Sequence, residues 1–252
     1  MQPKNIRKYQ KPNLLKTTIR IVLVLVLLGG STAFLCWIYN YSNWFPIRNF
    51  NVITQSGSLQ HVTAEEINTL LTPYRSGFNF LSINLNGVKE KFEQKSWIDK
   101  VEVGRSWPDT IKIVISERQP LAKWKTHDKT KKSYLVDNKG NLFEADIAEA
   151  DIKNSLVWFE GSINTEKIIF DLYYQIYPML KKYNINVEKL EYTTRSTWIL
   201  HIDDGIKIYL GRENVVSKLS QLLVVWNKLL ESDDRPIQEI HMEYSNGFSV
   251  KY

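Results

Sequence analysis

The sequence predicts an α+β protein with one transmembrane helix near its N-terminus, a small β-α-α-β-β domain and a second, β-rich domain. In the second domain we expect two helices to pack on a mostly antiparallel sheet. Three observations lead to this prediction. They are the uncharged run Ile21–Tyr39, the order of strand and helix patterns over residues 45–118, and the short alternating segments that dominate residues 119–252.

The uncharged run is long enough to cross a bilayer. Its nineteen residues would form a helix of about 28 Å, close to the thickness of the hydrocarbon layer. All six charges among the first twenty residues are basic, so the positive-inside rule predicts a cytoplasmic tail at 1–20, a transmembrane helix at 21–41 and export of the rest. Aromatic residues typical of a membrane interface follow at Trp37, Tyr39, Tyr41 and Trp44.

A cleaved signal peptide is the alternative interpretation of the same stretch. Basic residues, an apolar run and the small residues Ser31 and Ala33 resemble a leader with its cleavage site. Against this, the chain becomes apolar again at once from Phe34 to Ile38, where a mature N-terminus is usually polar. We therefore favour the membrane anchor.

Composition argues against nucleic-acid binding and against disulfide stabilisation. The net charge of +6 equals the six basic residues of the N-terminal tail, so the remainder is balanced and does not indicate nucleic-acid binding. The only cysteine, Cys36, lies inside the apolar run, so the exported part has no disulfide and depends on its hydrophobic core.

The first domain contains five patterned segments. The predicted elements are strand 47–55, helix 63–71, helix 85–92, strand 101–107 and strand 110–117. Thr63 and Glu66 have the spacing of a capping box, and we expect the first helix to end before Pro73. In the last strand Ile111, Ile113 and Ile115 share one face, which we expect to pack against the two helices.

The second domain has short strands around two amphipathic helices. We predict strands at 121–124, 133–136, 142–143, 156–159, 190–194, 198–202, 206–210, 237–244 and 248–252, and helices at 165–183 and 214–230. Pro178 should kink the first helix, and Asn214 should cap the second. We expect Trp158, Trp198 and Trp226 to belong to the core.

The sequence contains no recognisable catalytic motif. His61, His127, His201 and His241 lack metal-ligand spacing, and we expect His201 to be a packed or solvated strand residue. Neighbouring acidic residues such as Asp203 and Asp204 lie in turns or caps rather than across a cleft. We predict that the chain is not an enzyme and binds no cofactor or metal.

Three charged residues near the end of the first domain could form a binding patch. They are Arg105, Glu117 and Arg118. Charges at strand ends more often form a solvated rim or a local ion pair of little net energy, and we favour that interpretation.

Four segments together resemble the FtsQ/DivIB family of bacterial cell-division proteins. They are FPIRNFNV, VGRSWPDTIKIVISERQPLAKW, EYTTRSTWILHIDDGIKIYLGR and HMEYSNGFSVKY, and they extend from just after the apolar run to Tyr252. The resemblance implies a POTRA domain at 45–118, a periplasmic β-domain at 119–252 and a single-pass type II protein of the bacterial inner membrane at the division septum. It also implies a scaffold of the division machinery that binds FtsB and FtsL and links early division proteins to septal peptidoglycan synthesis. The POTRA domain would contact early proteins such as FtsK.

The resemblance also implies a partner site near the C-terminus. Its expected residues are Arg195, Tyr244, Asn246, Gly247, Phe248 and Tyr252, and the edge of the last predicted strand adds Val250. The last predicted strand, 248–252, has no successor to cover it, so its edge could accept a strand from a partner. Two residues depart from the family pattern: Glu243 stands where Arg is expected, and Tyr252 where Trp is expected.

Two other functions are compatible with an anchored exported chain. A POTRA-containing chaperone for outer-membrane or secreted proteins would be expected to have several POTRA copies. A membrane-anchored periplasmic hydrolase would need convergent polar residues. The sequence shows neither feature, so we favour the scaffold.

Overall fold

The computed structural model describes residues 14–40, 45–55, 59–75, 78–127, 132–146, 156–231, 235–244 and 247–252. These residues fall into two compact units. The first lies within 1–53, 65–90 and 102–114, and the second within 54–64, 91–101 and 115–252.

Helix α1 (Leu14–Asn40) contains the apolar run. Its side chains are exposed around most of its circumference, and it is the helix in the described residues that is long and apolar enough to cross a membrane. The helix begins seven residues before Ile21, because Lys16 and Arg20 are good helix formers. Tyr41 and Trp44 lie outside the described residues.

A three-stranded sheet and two helices follow in the predicted β-α-α-β-β order. The elements are β1 (Asn49–Thr54), α2 (Ala64–Arg75), α3 (Leu85–Glu93), β2 (Ile98–Ser106) and β3 (Thr110–Glu117). The strand order in space is β1-β3-β2. Ile111, Ile113 and Ile115 are buried, which confirms the predicted inner face of β3.

The predicted end of α2 before Pro73 is wrong. The helix continues to Arg75 with Pro73 inside it. Pro73 lacks the N–H that would bond to the Thr69 carbonyl, yet the helix continues for two residues beyond it. The Arg75 guanidinium also donates to Asn68 Oδ1 at 2.8 Å, which ties the last two turns together.

A nine-stranded mixed sheet and two helices make up the rest of the chain. The elements are β4 (Pro120–Thr126), β5 (Tyr134–Asp137), β6 (Leu142–Glu144), β7 (Val157–Gly161), α4 (Glu166–Lys182), β8 (Val187–Tyr192), β9 (Trp198–Ile202), β10 (Lys207–Gly211), α5 (Val215–Leu230), β11 (Glu239–His241) and β12 (Ser249–Lys251). The strand order is β12-β11-β10-β9-β8-β7-β4-β5-β6. Three neighbouring pairs are parallel, namely β10–β11, β7–β8 and β4–β7, and the other five are antiparallel.

Helices α4 and α5 pack on the sheet and against each other. The predicted apolar stripes are confirmed, because their residues are buried: Ile169, Leu172, Ile176 and Leu180 in α4, and Val215, Leu219, Leu222 and Trp226 in α5. Side chains that point the other way along the strands form the open face of the sheet. On β7, β8 and β9 this face carries Glu160, Lys189, Glu191 and His201.

Two predictions about this unit are wrong. Trp158 is only half-buried, because Val157 and Phe159 take the inner positions of β7; Lys123 Nζ lies 5.0 Å from the centre of its ring. Asn214 precedes α5 but its side chain makes no capping bond. Its φ of 55° is left-handed, whereas a capping side chain usually needs an extended backbone to reach the first free N–H groups.

Candidate functional site

Strand β12 lies at one end of the nine-stranded sheet. Within the described part of the chain it has a neighbour, β11, on one side only. The two strands are antiparallel and pair Glu239 with Lys251, Ile240 with Val250 and His241 with Ser249. The hairpin is shorter than the predicted strands 237–244 and 248–252.

The register determines which backbone groups of β12 point outward. Between the parallel strands β10 and β11, the Lys207 N–H donates to the Gln238 carbonyl and the Met242 N–H donates to the Tyr209 carbonyl. In this pattern the N–H and C=O of Ile240 point toward β10. By alternation, those of Glu239 and His241 point toward β12.

Lys251 and Ser249 are therefore the residues of β12 that bond to β11. The N–H and C=O of Val250 point away from the sheet, while its side chain packs against the core between the helices and the sheet. An edge with such groups can pair with another chain.

A groove of about 640 Å³ adjoins this strand. One wall is α5, and the other is the hairpin between β11 and β12. Tyr244 and Phe248 line the groove from the hairpin side and are 63% and 37% exposed. Facing them from the helix are Ser217, Lys218, Gln221 and Val225. We call this feature the hairpin groove. It offers two aromatic side chains beside polar ones, a composition typical of protein interfaces.

Gly247 and Tyr252 lie at the same end of the sheet. Gly247 lines the hairpin groove, and there is open space where a Cβ would stand. The ring of Tyr252 lies under the Arg235 guanidinium, 4.9 Å from its carbon. Asn246 lies outside the described residues.

Arg195 is exposed in the turn between β8 and β9. Strands β8, β10 and β11 all end at this edge of the sheet, so the β8–β9 turn and the β11–β12 hairpin lie along the same edge. Counted across the strand order, they are two or three strand spacings apart, roughly 10–15 Å.

Gly211 allows the end of β10 to pass close to the hairpin. Its φ is 78°, a left-handed value that favours glycine. A Cβ at this position would meet Lys218 Nζ at 3.3 Å and the Glu243 Cα at 3.8 Å. Glu243, which departs from the family pattern, is exposed and lines the hairpin groove. This end of the sheet therefore carries an acidic side chain close to Lys218.

The three charged residues expected at a solvated rim or in a local ion pair all bond to other parts of the chain. Arg118 forms an ion pair and Arg105 is exposed, so of the three only buried Glu117 departs from that expectation. Buried Glu117 accepts three backbone N–H groups, from Gln60 at 2.8 Å, His61 at 3.0 Å and Val62 at 2.8 Å. The Arg118 guanidinium donates to buried Asp137 Oδ2 at 2.9 Å.

Arg105 likewise serves the backbone. Its guanidinium donates to the carbonyls of Phe80, Leu81 and Ile83 at 2.8–3.1 Å. Sequence reasoning could not find these bonds, because each joins residues far apart along the chain.

The open face of the sheet holds an ion network. Lys189 Nζ bonds both Glu160 Oε2 at 2.7 Å and Glu191 Oε2 at 3.1 Å. Burial alone would raise the pKa of Glu160, but hydrogen bonds from Lys189 and Lys125 outweigh burial and hold that pKa below its ordinary value. For His201, burial and then the nearby Lys189 lower the pKa.

The histidines occupy separate environments. His61 stacks on Trp97, His127 lies 3.2 Å from the Tyr192 carbonyl, His201 lies 3.5 Å from Glu191, and His241 stacks on Tyr209. Among the residues that the structure describes, no three His, Cys, Asp or Glu side chains are grouped to hold a metal ion.

Two family models match the chain. The model for the FtsQ-type POTRA domain matches residues 45–118, and the model for the C-terminal region of the cell-division proteins FtsQ/DivIB matches residues 122–243. The chain belongs to the FtsQ/DivIB family. The resemblance found in the sequence is thereby confirmed, and the chain is a cell-division protein with a POTRA domain and, among the residues that the structure describes, one N-terminal apolar helix of membrane-spanning length.

Several curated relatives carry the name "Cell division protein FtsQ". The protein of Neisseria meningitidis is 32% identical over 232 residues, which cover 92% of each chain. The protein of Coxiella burnetii is 23% identical and covers 99% of this chain and 95% of its own. That of Hahella chejuensis is 24% identical over 82% of this chain and 70% of its own.

One wall of the hairpin groove was missed from the sequence. The C-terminal family match ends at residue 243, so it includes β11 and Arg195 but not the expected site residues from Tyr244 onward. Ser217, Gln221 and Val225 recur every four residues on α5, beside its buried stripe. Val225 is an apolar residue outside that stripe, and it was the feature of the sequence that could have indicated a second contact surface on α5.

Proposed function

We propose that this chain is a non-enzymatic scaffold of the bacterial division machinery that binds FtsB, and with it FtsL, through β12 and the hairpin groove. A segment of FtsB adds a strand beside β12, and its side chains enter the groove next to Tyr244 and Phe248. The outward Val250 N–H and C=O are the observation that carries the proposal. They supply backbone bonds, while the aromatic side chains supply selectivity.

The anchor gives this scaffold its geometry. The basic tail stays in the cytoplasm, α1 crosses the inner membrane, and the rest of the chain lies in the periplasm at the septum. The balanced charge of the exported part gives no reason to expect a nucleic-acid partner. Arg105, Glu117 and Arg118 bond within the chain, so we do not propose them as a partner surface. The C-terminal end of the sheet is therefore the favoured partner surface. The POTRA domain contacts early division proteins such as FtsK in this proposal.

Binding of a synthetic FtsB segment to the full chain in nanodiscs tests the aromatic part of the site. Tyr244→Ala should weaken the affinity by at least ~2 kcal/mol, or about thirtyfold, if Tyr244 is a buried anchor in the complex. Tyr174→Ala is the matched control, because Tyr174 is a similarly exposed tyrosine on α4, outside the hairpin groove. Equal affinities for both variants and the unmodified chain would place the partner elsewhere.

The backbone part needs a separate pair of variants. Val250→Pro removes the outward N–H and should weaken binding at least tenfold, since proline cannot donate to an added strand. Val250→Ala keeps the N–H and trims the side chain, so its affinity should stay close to that of the unmodified chain. Melting temperatures measured on the same samples separate lost binding from lost folding. Wild-type affinity in a folded Val250→Pro chain would contradict strand addition at this residue.

A further inference from the structure

A second exposed apolar surface lies in the first unit, close to where α1 ends. Trp107, in the turn between β2 and β3, is 71% exposed although it packs against two rings. The ring centres of Phe45 and Phe80 each lie 6.0 Å from its own. Leu81, the residue after Phe80, is 44% exposed. We call Phe45, Leu81, Trp107 and Pro108, with the adjacent Arg48, the Trp107 patch.

The backbone under this patch is firmly held. The Phe80 N–H donates to the Phe45 carbonyl at 2.8 Å, and Pro46 forms a bridge with Asn79. The Arg105 guanidinium, on β2, donates to the carbonyls of Phe80 and Leu81. The turn that carries Trp107 is held as well, since the N–H groups of Arg48 and Asn49 donate to the Asp109 carbonyl at 3.0 and 3.4 Å. The exposed Trp107 ring and Leu81 side chain therefore lie on hydrogen-bonded backbone.

The chain length fixes how far the patch can be from the membrane. Helix α1 ends at Asn40, and Phe45 follows five residues later. Even fully extended, five residues span at most about 16–18 Å. The headgroup region adds about 5–8 Å on each side of the hydrocarbon layer. The patch is thus tethered within a short distance of the headgroups on the side where α1 ends.

The chemistry of the patch suits that layer. Tryptophan has an apolar body and one N–H donor, and it is enriched where apolar and aqueous phases meet. A cleft of about 240 Å³ beside the ring is lined by Phe45, Pro46, Arg48, Trp107, Pro108 and Asp109. The side chain of Arg48 is 73% exposed, with its Nε 3.7 Å from Asp109 Oδ2, so its outer nitrogens can reach a phosphate.

We propose that the Trp107 patch docks on the headgroup layer of the membrane that α1 crosses. Trp107 and Leu81 insert among the headgroups, and Arg48 contacts lipid phosphate. The surface is then a second membrane contact, separate from the partner site. It rests on the proposed membrane anchor but not on the binding of FtsB. Its effect is to hold the first unit against the bilayer rather than leave it free on its linker.

Spin labels at two positions test this directly. The full chain carrying Cys36→Ser is reconstituted in vesicles of phosphatidylethanolamine and phosphatidylglycerol, with one nitroxide attached through Leu81→Cys or Glu65→Cys. Glu65 is the control, since it is exposed in the first turn of α2. Arg75, at the other end of this helix, lines a cleft together with Arg48 of the patch, and twelve helical residues span about 18 Å. Collisions with O₂ report lipid, and collisions with a water-soluble nickel chelate report water.

The proposal predicts a ratio of O₂ to nickel collisions several-fold higher at position 81 than at position 65. Adding Trp107→Gln should lower the ratio at 81 toward that at 65, while Trp107→Phe should largely preserve it. Equal ratios at the two positions in the otherwise unmodified chain would overturn the proposal. A high ratio at 81 that Trp107→Gln leaves unchanged would also overturn it, because the tether alone would then explain the proximity.

Discussion

The buried carboxylate of Glu117 should be the most sensitive point of the POTRA domain. Its two oxygens accept the N–H groups of Gln60, His61 and Val62, just before α2 begins. Glu117→Ala leaves all three donors without their acceptor. An unsatisfied buried N–H costs about 1–3 kcal/mol, and water can reach the half-buried part of this loop, so we expect a loss of about 3–5 kcal/mol in the free energy of unfolding.

Thermal unfolding of the full chain, followed by circular dichroism, measures this loss. At about 2–4 °C per kcal/mol, Glu117→Ala should lower Tm by at least ~6 °C. Glu117→Gln keeps one carbonyl oxygen for two of the donors and should lower Tm by roughly half as much. Glu90→Gln, at an exposed position on α3, is the matched control and should leave Tm unchanged. If Glu117→Ala had the same Tm as this control, the three bonds would not stabilise the domain and the reasoning would be refuted.

Three further predictions concern the core, pH and topology. Ile113→Asp buries an unpaired charge in a small core and should cost several kcal/mol, seen as lost protease resistance; unchanged resistance would show that the inner face of β3 is misassigned. Burial, and then Lys189, lower the pKa of His201 from 6.5, so as the pH falls His201 is protonated first in the unfolded chain. Stability should therefore decline below about pH 6.5. The Tm of His201→Gln should fall less steeply over the same pH range. A reporter active only outside the cytoplasm should work after Tyr252 and fail before Arg20; the opposite result would reverse the topology.

Strand and helix periodicity predicted most of the fold. The alternation of Ile111, Ile113 and Ile115 was sufficient to assign the inner face of β3, because half-buried strands have a period of two. Trp158 was assigned to the core on residue type, although its neighbours Val157 and Phe159 already filled the inner positions. Where residue type and alternation disagreed, alternation was right.

Long-range polar contacts were beyond the reach of the sequence. Glu117 stands at the end of a strand, where a charge is usually solvated, and its donors lie more than fifty residues away. Arg118 and Asp137 are likewise brought together only by the fold. Local patterns contain no information on such pairs.

The candidate site was only partly visible in the sequence. The resemblance indicated the C-terminal hairpin, including Tyr244 and Phe248. It did not indicate that α5 forms the opposite wall of the groove. The outward direction of the Val250 N–H also had to await the structure, because it depends on the register of β12 with β11 and of β11 with β10.

Amide exchange at Val250, resolved to single residues and measured with and without the FtsB segment, tests the account most directly. In the free chain this N–H points away from the sheet and should exchange fast, whereas those of Ser249 and Lys251 already bond to β11. Saturation with the segment should slow exchange at Val250 by orders of magnitude and change its two neighbours little. Unchanged exchange at Val250 in a saturated complex would contradict strand addition at the β12 edge.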